Sequence, residues 1–138
     1  MIIKDIEALI PHRTPFLFVD EITSANSDEI VGHRTFNNSE QILKGSFPVF
    51  KFVPGMIIIE SMAQCGGAGV KMLGITNGLF GLASIENAHF YKGVSFGDKV
   101  RYEIKNIRLS KKIIKQSGIA YVDETPVVSA TWMCIQMD

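Results

Sequence analysis

The sequence predicts an α+β domain, an antiparallel sheet wrapped around one long central helix. Three observations point there. Residues 54–73 form a segment that is apolar almost all round, alternating strand patterns follow it, and 138 residues suffice for a single domain spanning 1–138. A helix with no wet face must be covered, and the strands after it supply the cover.

From the start of the chain, Ile2, Ile3, Ile6, Leu9 and Ile10 recur at helical spacing, which predicts a short helix over Met1 to Ile10. Pro11 ends it, because the residue before a proline avoids helical geometry. Pro15 to Asp20 reads as a strand opened by proline, and Glu29 to Phe36 as another. Gly45, Pro48 and Pro54 break up Ile42 to Val53 into an ordered loop. The central helix then runs from Pro54, well placed at a helix start, to Leu73, with Gly74 as its stop. Leu79 to Val94 is a long strand, bent at Glu86-Asn87. Phe96 to Lys99 is a turn, and the alternation of Val100, Tyr102 and Ile104 with Arg101, Glu103 and Lys105 marks a strand with one wet face. Lys112 to Val122 and Val127 to Met137 pair across Asp123 to Pro126.

Composition narrows the function classes. Fourteen Lys and Arg balance fourteen Asp and Glu, so the basic excess of a nucleic-acid binder is missing. With 46% hydrophobic and 20% charged residues the chain is no disordered tail. Cys65 and Cys134 form no Cys-x-x-Cys, and His12, His33 and His89 are scattered, so neither a metal nor a redox dithiol is expected. Asp5 and Glu7 interrupt the place where a signal peptide needs an apolar core, and the expectation is a cytoplasmic protein. Glu60, Ser61 and Gln64 argue against reading the central helix as a membrane span.

Glu60 is the residue most suggestive of chemistry. A carboxylate inside so apolar a helix costs several kcal/mol to bury unless it is hydrogen-bonded or protonated. Gln64, one turn on, can hold and orient it, and burial is expected to raise its pKa and suit it to donate a proton. A structural Glu–Gln pair at a subunit interface is the competing account. Gly55 stands where the first helix amides lack partners, so a ligand carbonyl could approach there, although a plain turn glycine fits too. Ser46 lacks the Gly-x-Ser-x-Gly setting of a hydrolase elbow and reads as a loop serine. His12 and His89 have no spacing that argues for catalysis.

The run from Ile10 to Asp20, Ile-Pro-His-Arg-Thr-Pro-Phe-Leu-Phe-Val-Asp, resembles the N-terminal signature of the hot-dog-fold 3-hydroxyacyl-acyl-carrier-protein dehydratases. The block from Gly45 to Gln64 resembles that family's Gly-His-Phe-Pro…Pro-Gly…Glu-Ala-x-Ala-Gln, and residues 81–90 and 94–98 match its later strand and turn. The resemblance spans nearly the entire chain. It implies a hot-dog domain working as a dimer, with a tunnel for an acyl chain carried on an acyl carrier protein or coenzyme A, and with no cofactor. Family members use a histidine to take the α-proton and a carboxylate to protonate the departing hydroxyl, while a helix-start amide binds the thioester carbonyl. By resemblance Glu60 falls on the carboxylate, Gln64 on its supporting glutamine, Gly55 on the amide, and Phe52 on the carbonyl that orients the histidine; Phe47 joins the substrate-binding residues. The histidine itself is replaced by Ser46, and Lys51 stands where the family usually has proline.

A serine hydroxyl is far too weak a base to take a carbon-bound proton at neutral pH. In the family's dimers the histidine and the carboxylate of one site come from opposite subunits. A homodimer of this chain would therefore lack a base in both sites, whereas a heterodimer with a histidine-bearing relative would have one complete site. That favours a dehydratase subunit of a fatty-acid or polyketide type pathway. The alternatives are a hot-dog thioesterase in which Glu60 activates water, and a non-catalytic subunit that binds acyl thioesters.

Overall fold

The computed structural model describes residues 2–46 and 51–138. Among these, eight strands and one long helix carry the chain: β1 (Glu21–Ala25), β2 (Glu29–Thr35), β3 (Phe52–Val53), α1 (Gly55–Met72), β4 (Phe80–Phe90), β5 (Val94–Ser95), β6 (Lys99–Leu109), β7 (Ile113–Val122) and β8 (Thr125–Gln136). Six strands form one antiparallel sheet in the order β1-β2-β6-β7-β8-β4, and β3 pairs with β5 beside it. The sheet curls around α1, which packs against all six of its strands. This is the hot-dog fold. No helix among the described residues is long and apolar enough to cross a membrane.

Ile58, Met62, Cys65, Ala68 and Val70 of α1 are fully buried against Ile30, Val100, Tyr102, Ile104, Ala120 and Trp132 of the sheet. Each large side chain so buried contributes about 1.5–3 kcal/mol of transfer free energy. The helix lies close to the sheet because some of its positions have no side chain. A Cβ built on Gly69 would stand 2.6 Å from Cδ1 and Cγ2 of Ile30. Gly69→Ala would gain about 1 kcal/mol of helix propensity and lose about 1–3 kcal/mol to overpacking. The second effect wins, so the variant should melt at a lower temperature than the parent. An unchanged or higher Tm would show that Ile30 moves aside.

The central helix and the last two strands lie where the sequence puts them, within two residues at each end. Pro54 caps the helix start, and Gly74 follows its end with φ of +73°. The bend in β4 is also in place: the register slips between Glu86 and His89, and Asn87 takes φ of +53°.

Two expectations fail at the N-terminus. The helix over Met1 to Ile10 is reduced to a single 3₁₀ turn, Ile6–Ala8. Ile3 instead exchanges two backbone hydrogen bonds with Ile22, both 2.8 Å, because a helix this short cannot outbid pairing to a sheet edge. Pro15 to Asp20 is not a strand: Pro15 lies in a turn that Phe16 N closes by donating to the Arg13 carbonyl at 2.8 Å. The Phe18 backbone bonds to side chains of α1, and the strand begins only at Glu21, over a segment the sequence reading passed by. The loop over Ile42 to Val53 also hides a 3₁₀ turn, Gln41–Leu43, and the short β3.

Candidate active site

Three hydrogen bonds stitch the segment Phe16 to Phe18 onto α1, and a fourth, within the helix, ties Gln64 to Glu60. Gln64 is only 2% exposed. Its Oε1 accepts from the Phe18 amide at 2.8 Å, and its Nε2 donates to the Phe16 carbonyl at 3.1 Å and to Glu60 Oε2 at 2.9 Å. Both amide hydrogens are thereby used. Turning the amide over would aim N–H groups at the Phe18 N–H, so only one orientation is tenable. One turn back, Ser61 Oγ donates to the Phe18 carbonyl at 2.6 Å and accepts from the Tyr102 hydroxyl at 2.5 Å. Burial and then the bond to Ser61 act on Tyr102, and burial wins, holding its pKa well above the usual range.

Glu60 is half-buried, its side chain 24% exposed, so it is less enclosed than the sequence implied. Its carboxyl faces a cavity of about 170 Å³ whose lining includes His12, Gln64, Phe80, Ile114 and Cys134. Most of that lining is apolar, with the carboxyl and the Gln64 amide as polar groups beside it. Burial, with the nearby Glu60 charge, pushes the Cys134 thiol up to about 11, and burial alone pushes Cys65 up to about 12. Neither thiol is a nucleophile near neutral pH.

At the other end of the same helix stretch, the first turn closes with Ile57 N donating to the Pro54 carbonyl at 3.0 Å. Gly55 borders a second hollow of about 390 Å³ together with Phe52, Phe90 and Tyr91. A Cβ on Gly55 would meet the Phe90 ring at 2.4 Å, so any larger residue here would need that exposed ring to swing aside. Glu60 lies five residues further, about 7.5 Å along the axis.

The structure thus brings Glu60 and Gln64 together and sets Gly55 and Phe52 at the neighbouring hollow. Ser46 lies exposed at the end of a turn, its amide donating to the Leu43 carbonyl at 3.2 Å, and it does not line the Glu60 cavity of its own chain. Phe47 falls outside the described residues. Lys51 takes φ of +58°, which a proline ring cannot adopt, so the loop enters β3 by a path closed to proline-bearing sequences. Sequence reasoning missed His12. Its Nε2 is 3.8 Å from Glu60 Oε2 across 48 residues of chain, and nothing near it in sequence signals that contact.

Residues 10–131 match the FabA-like domain. The 3-hydroxyacyl-[acyl-carrier-protein] dehydratase FabZ of Solibacter usitatus is 42% identical over 134 residues, which cover 96% of this chain and 83% of that one. FabZ of Fusobacterium nucleatum is 36% identical over 138 residues, covering 99% and 97%. Among solved structures, the dehydratase heterocomplex ApeI:P from Xenorhabdus doucetiae superposes with a TM-score of 0.83 over 96% of this chain and 91% of that one, at 15% identity. The chain belongs to the FabA-like family and, within it, to the FabZ-type 3-hydroxyacyl-[acyl-carrier-protein] dehydratases.

Proposed function

We propose that this chain is the acid-bearing subunit of a dehydratase for 3-hydroxyacyl thioesters, and that its base comes from a histidine-bearing relative forming the other half of a dimer. One observation carries the reading. Glu60 keeps a glutamine that is bonded at three points, while the residue matching the family's histidine is Ser46. An acid held by a glutamine that is itself anchored to the Phe16–Phe18 backbone fits a chain that still supplies a proton.

In this reaction the partner's histidine removes the proton on C2. Glu60 gives its proton to the 3-hydroxyl, which leaves as water, and the C2–C3 double bond forms. Negative charge grows on the thioester oxygen meanwhile, and an amide at the start of α1 near Gly55, with the helix dipole behind it, stabilises that charge.

Two surfaces support the assembly. Strand β4 is an edge of the sheet and exposes Leu82, Ile85 and Phe90, with Tyr91 just beyond, an apolar border suited to a second subunit. The β6–β7 hairpin carries Lys105, Arg108, Lys111, Lys112 and Lys115, none of which has an ion-pair partner among the described residues, and Arg108 stands directly opposite Lys115. Like charges opposed across a ladder are unfavourable unless an anion covers them. The phosphate-bearing arm of an acyl carrier protein or of coenzyme A supplies one. We place the protein in the cytoplasm, where Cys65 and Cys134 stay free thiols, in a fatty-acid or polyketide type pathway.

The test is to incubate a 3-hydroxyacyl thioester with the chain alone, with a histidine-bearing relative whose own helix carboxylate has been replaced by glutamine, and with the two mixed. Enoyl product should form quickly only in the mixture. Brisk dehydration by the unmixed chain would overturn the reading. Free thiol without enoyl product would make the protein a thioesterase, and neither product from the mixture would make it a binding subunit.

A further inference from the structure

His12 is a titratable side chain beside Glu60 that the proposed reaction leaves without a task. It lines the same cavity, and its Nε2 sits 3.8 Å from Glu60 Oε2. Its other ring nitrogen, Nδ1, is buried and has no hydrogen-bond partner among the described residues. The turn that carries it is pinned, because Arg13 Nη1 donates to the carbonyls of Ile10 at 2.9 Å and of His12 at 2.7 Å.

We propose that His12 is a positioning residue for Glu60, fixing which carboxyl oxygen carries the acid's proton; this rests on Glu60 acting as the acid. A buried N–H with no acceptor is costly, so between the two tautomers the orphaned Nδ1 favours the one with the proton on Nε2. Nε2 lies 3.8 Å from Glu60 Oε2, the oxygen that already accepts from Gln64 Nε2 at 2.9 Å. Catalytic hydrogen bonds are commonly long before substrate binds, and a small rotation closes this one. With two N–H donors converging on Oε2, the carboxyl proton is left on Oε1. The acid then presents its proton on one oxygen in one direction. When Glu60 releases that proton to the departing hydroxyl, the same two donors stabilise the carboxylate that remains.

Gln64 alone cannot fix this choice, because one of its two hydrogens is committed to the Phe16 carbonyl. A single donor on Oε2 still lets the proton and the acceptor role exchange between the two oxygens.

The test has an arm that does not depend on turnover. In ¹⁵N spectra of the lone chain, His12 should show the Nε2–H tautomer, and its Nε2 resonance should move in Glu60→Gln. A resonance that stays put overturns the pairing, even in a protein that dehydrates nothing. The second arm uses the mixed dimer. His12→Ala should lower kcat about 10- to 10²-fold, the worth of one hydrogen bond to a charged group, while KM stays within about twofold. His12→Gln, which keeps an N–H donor but cannot titrate, should recover kcat to within about threefold of the parent. Equal kcat in the alanine variant, or an effect confined to KM, sinks the proposal. If no mixture dehydrates at all, the reading of Glu60 as the acid fails and takes this role with it, while the spectra still report whether the two side chains pair.

Discussion

Glu60→Gln should leave the fold intact and slow dehydration by the assembled dimer about 10²–10⁴-fold, the contribution of one positioned proton donor. The substituted amide has nearly the same shape and offers Gln64 Nε2 the same kind of acceptor, so the bond now 2.9 Å long can persist. The proton needed by the departing hydroxyl is what the amide lacks. KM should move little, since the loss falls on the transition state rather than on binding. Steady-state rates of enoyl formation by mixed dimers, with circular dichroism to verify the fold, decide it. A variant that dehydrates at the parent rate would remove Glu60 from the mechanism.

The mirror of that loss is a gain at Ser46. Ser46→His should raise dehydration by the unmixed chain by about 10²-fold, the lower end of what a general base contributes. The position accepts a larger side chain, because Ser46 is exposed and its neighbour Gly45 has open space around it. The lower end is expected because Lys51, with φ of +58°, departs from the backbone a proline would fix just ahead of Phe52, whose carbonyl the family resemblance assigns to fixing the ring. The gain should vanish in the double variant with Glu60→Gln, since one carboxyl serves both. A histidine variant no faster than the parent would show that the missing base is not the reason the lone chain is slow.

Features carried by neighbours in the sequence were legible in it. The central helix follows from an apolar run between Pro54 and Gly74, and the Glu60–Gln64 bond follows from a spacing of four on that helix. Features carried by distant partners were not. Phe16 to Phe18 looks like a strand because its residues suit one, yet its backbone is satisfied by Gln64 and Ser61 more than forty residues away. The isoleucines of residues 2–10 keep helical spacing, but Ile3 gains two backbone bonds to Ile22 by extending. His12 meets Glu60 only because that misread segment crosses the helix, so one error hid the other. Ser46 carries no local signal at all and stands out only by comparison with the family's motif.

The three bonds made by Gln64 also set the order in which the protein can become competent during its synthesis. The Phe18 amide leaves the ribosome 46 residues before the glutamine that receives it, and must wait unpaired or hydrated until α1 has emerged. Until then Gln64 has no partner to fix its amide, and Glu60 has no fixed donor. The acid is therefore oriented late, at the moment when the N-terminal segment closes over the helix. A nascent or partly opened chain holds all the same side chains and yet has no glutamine anchored to orient its acid.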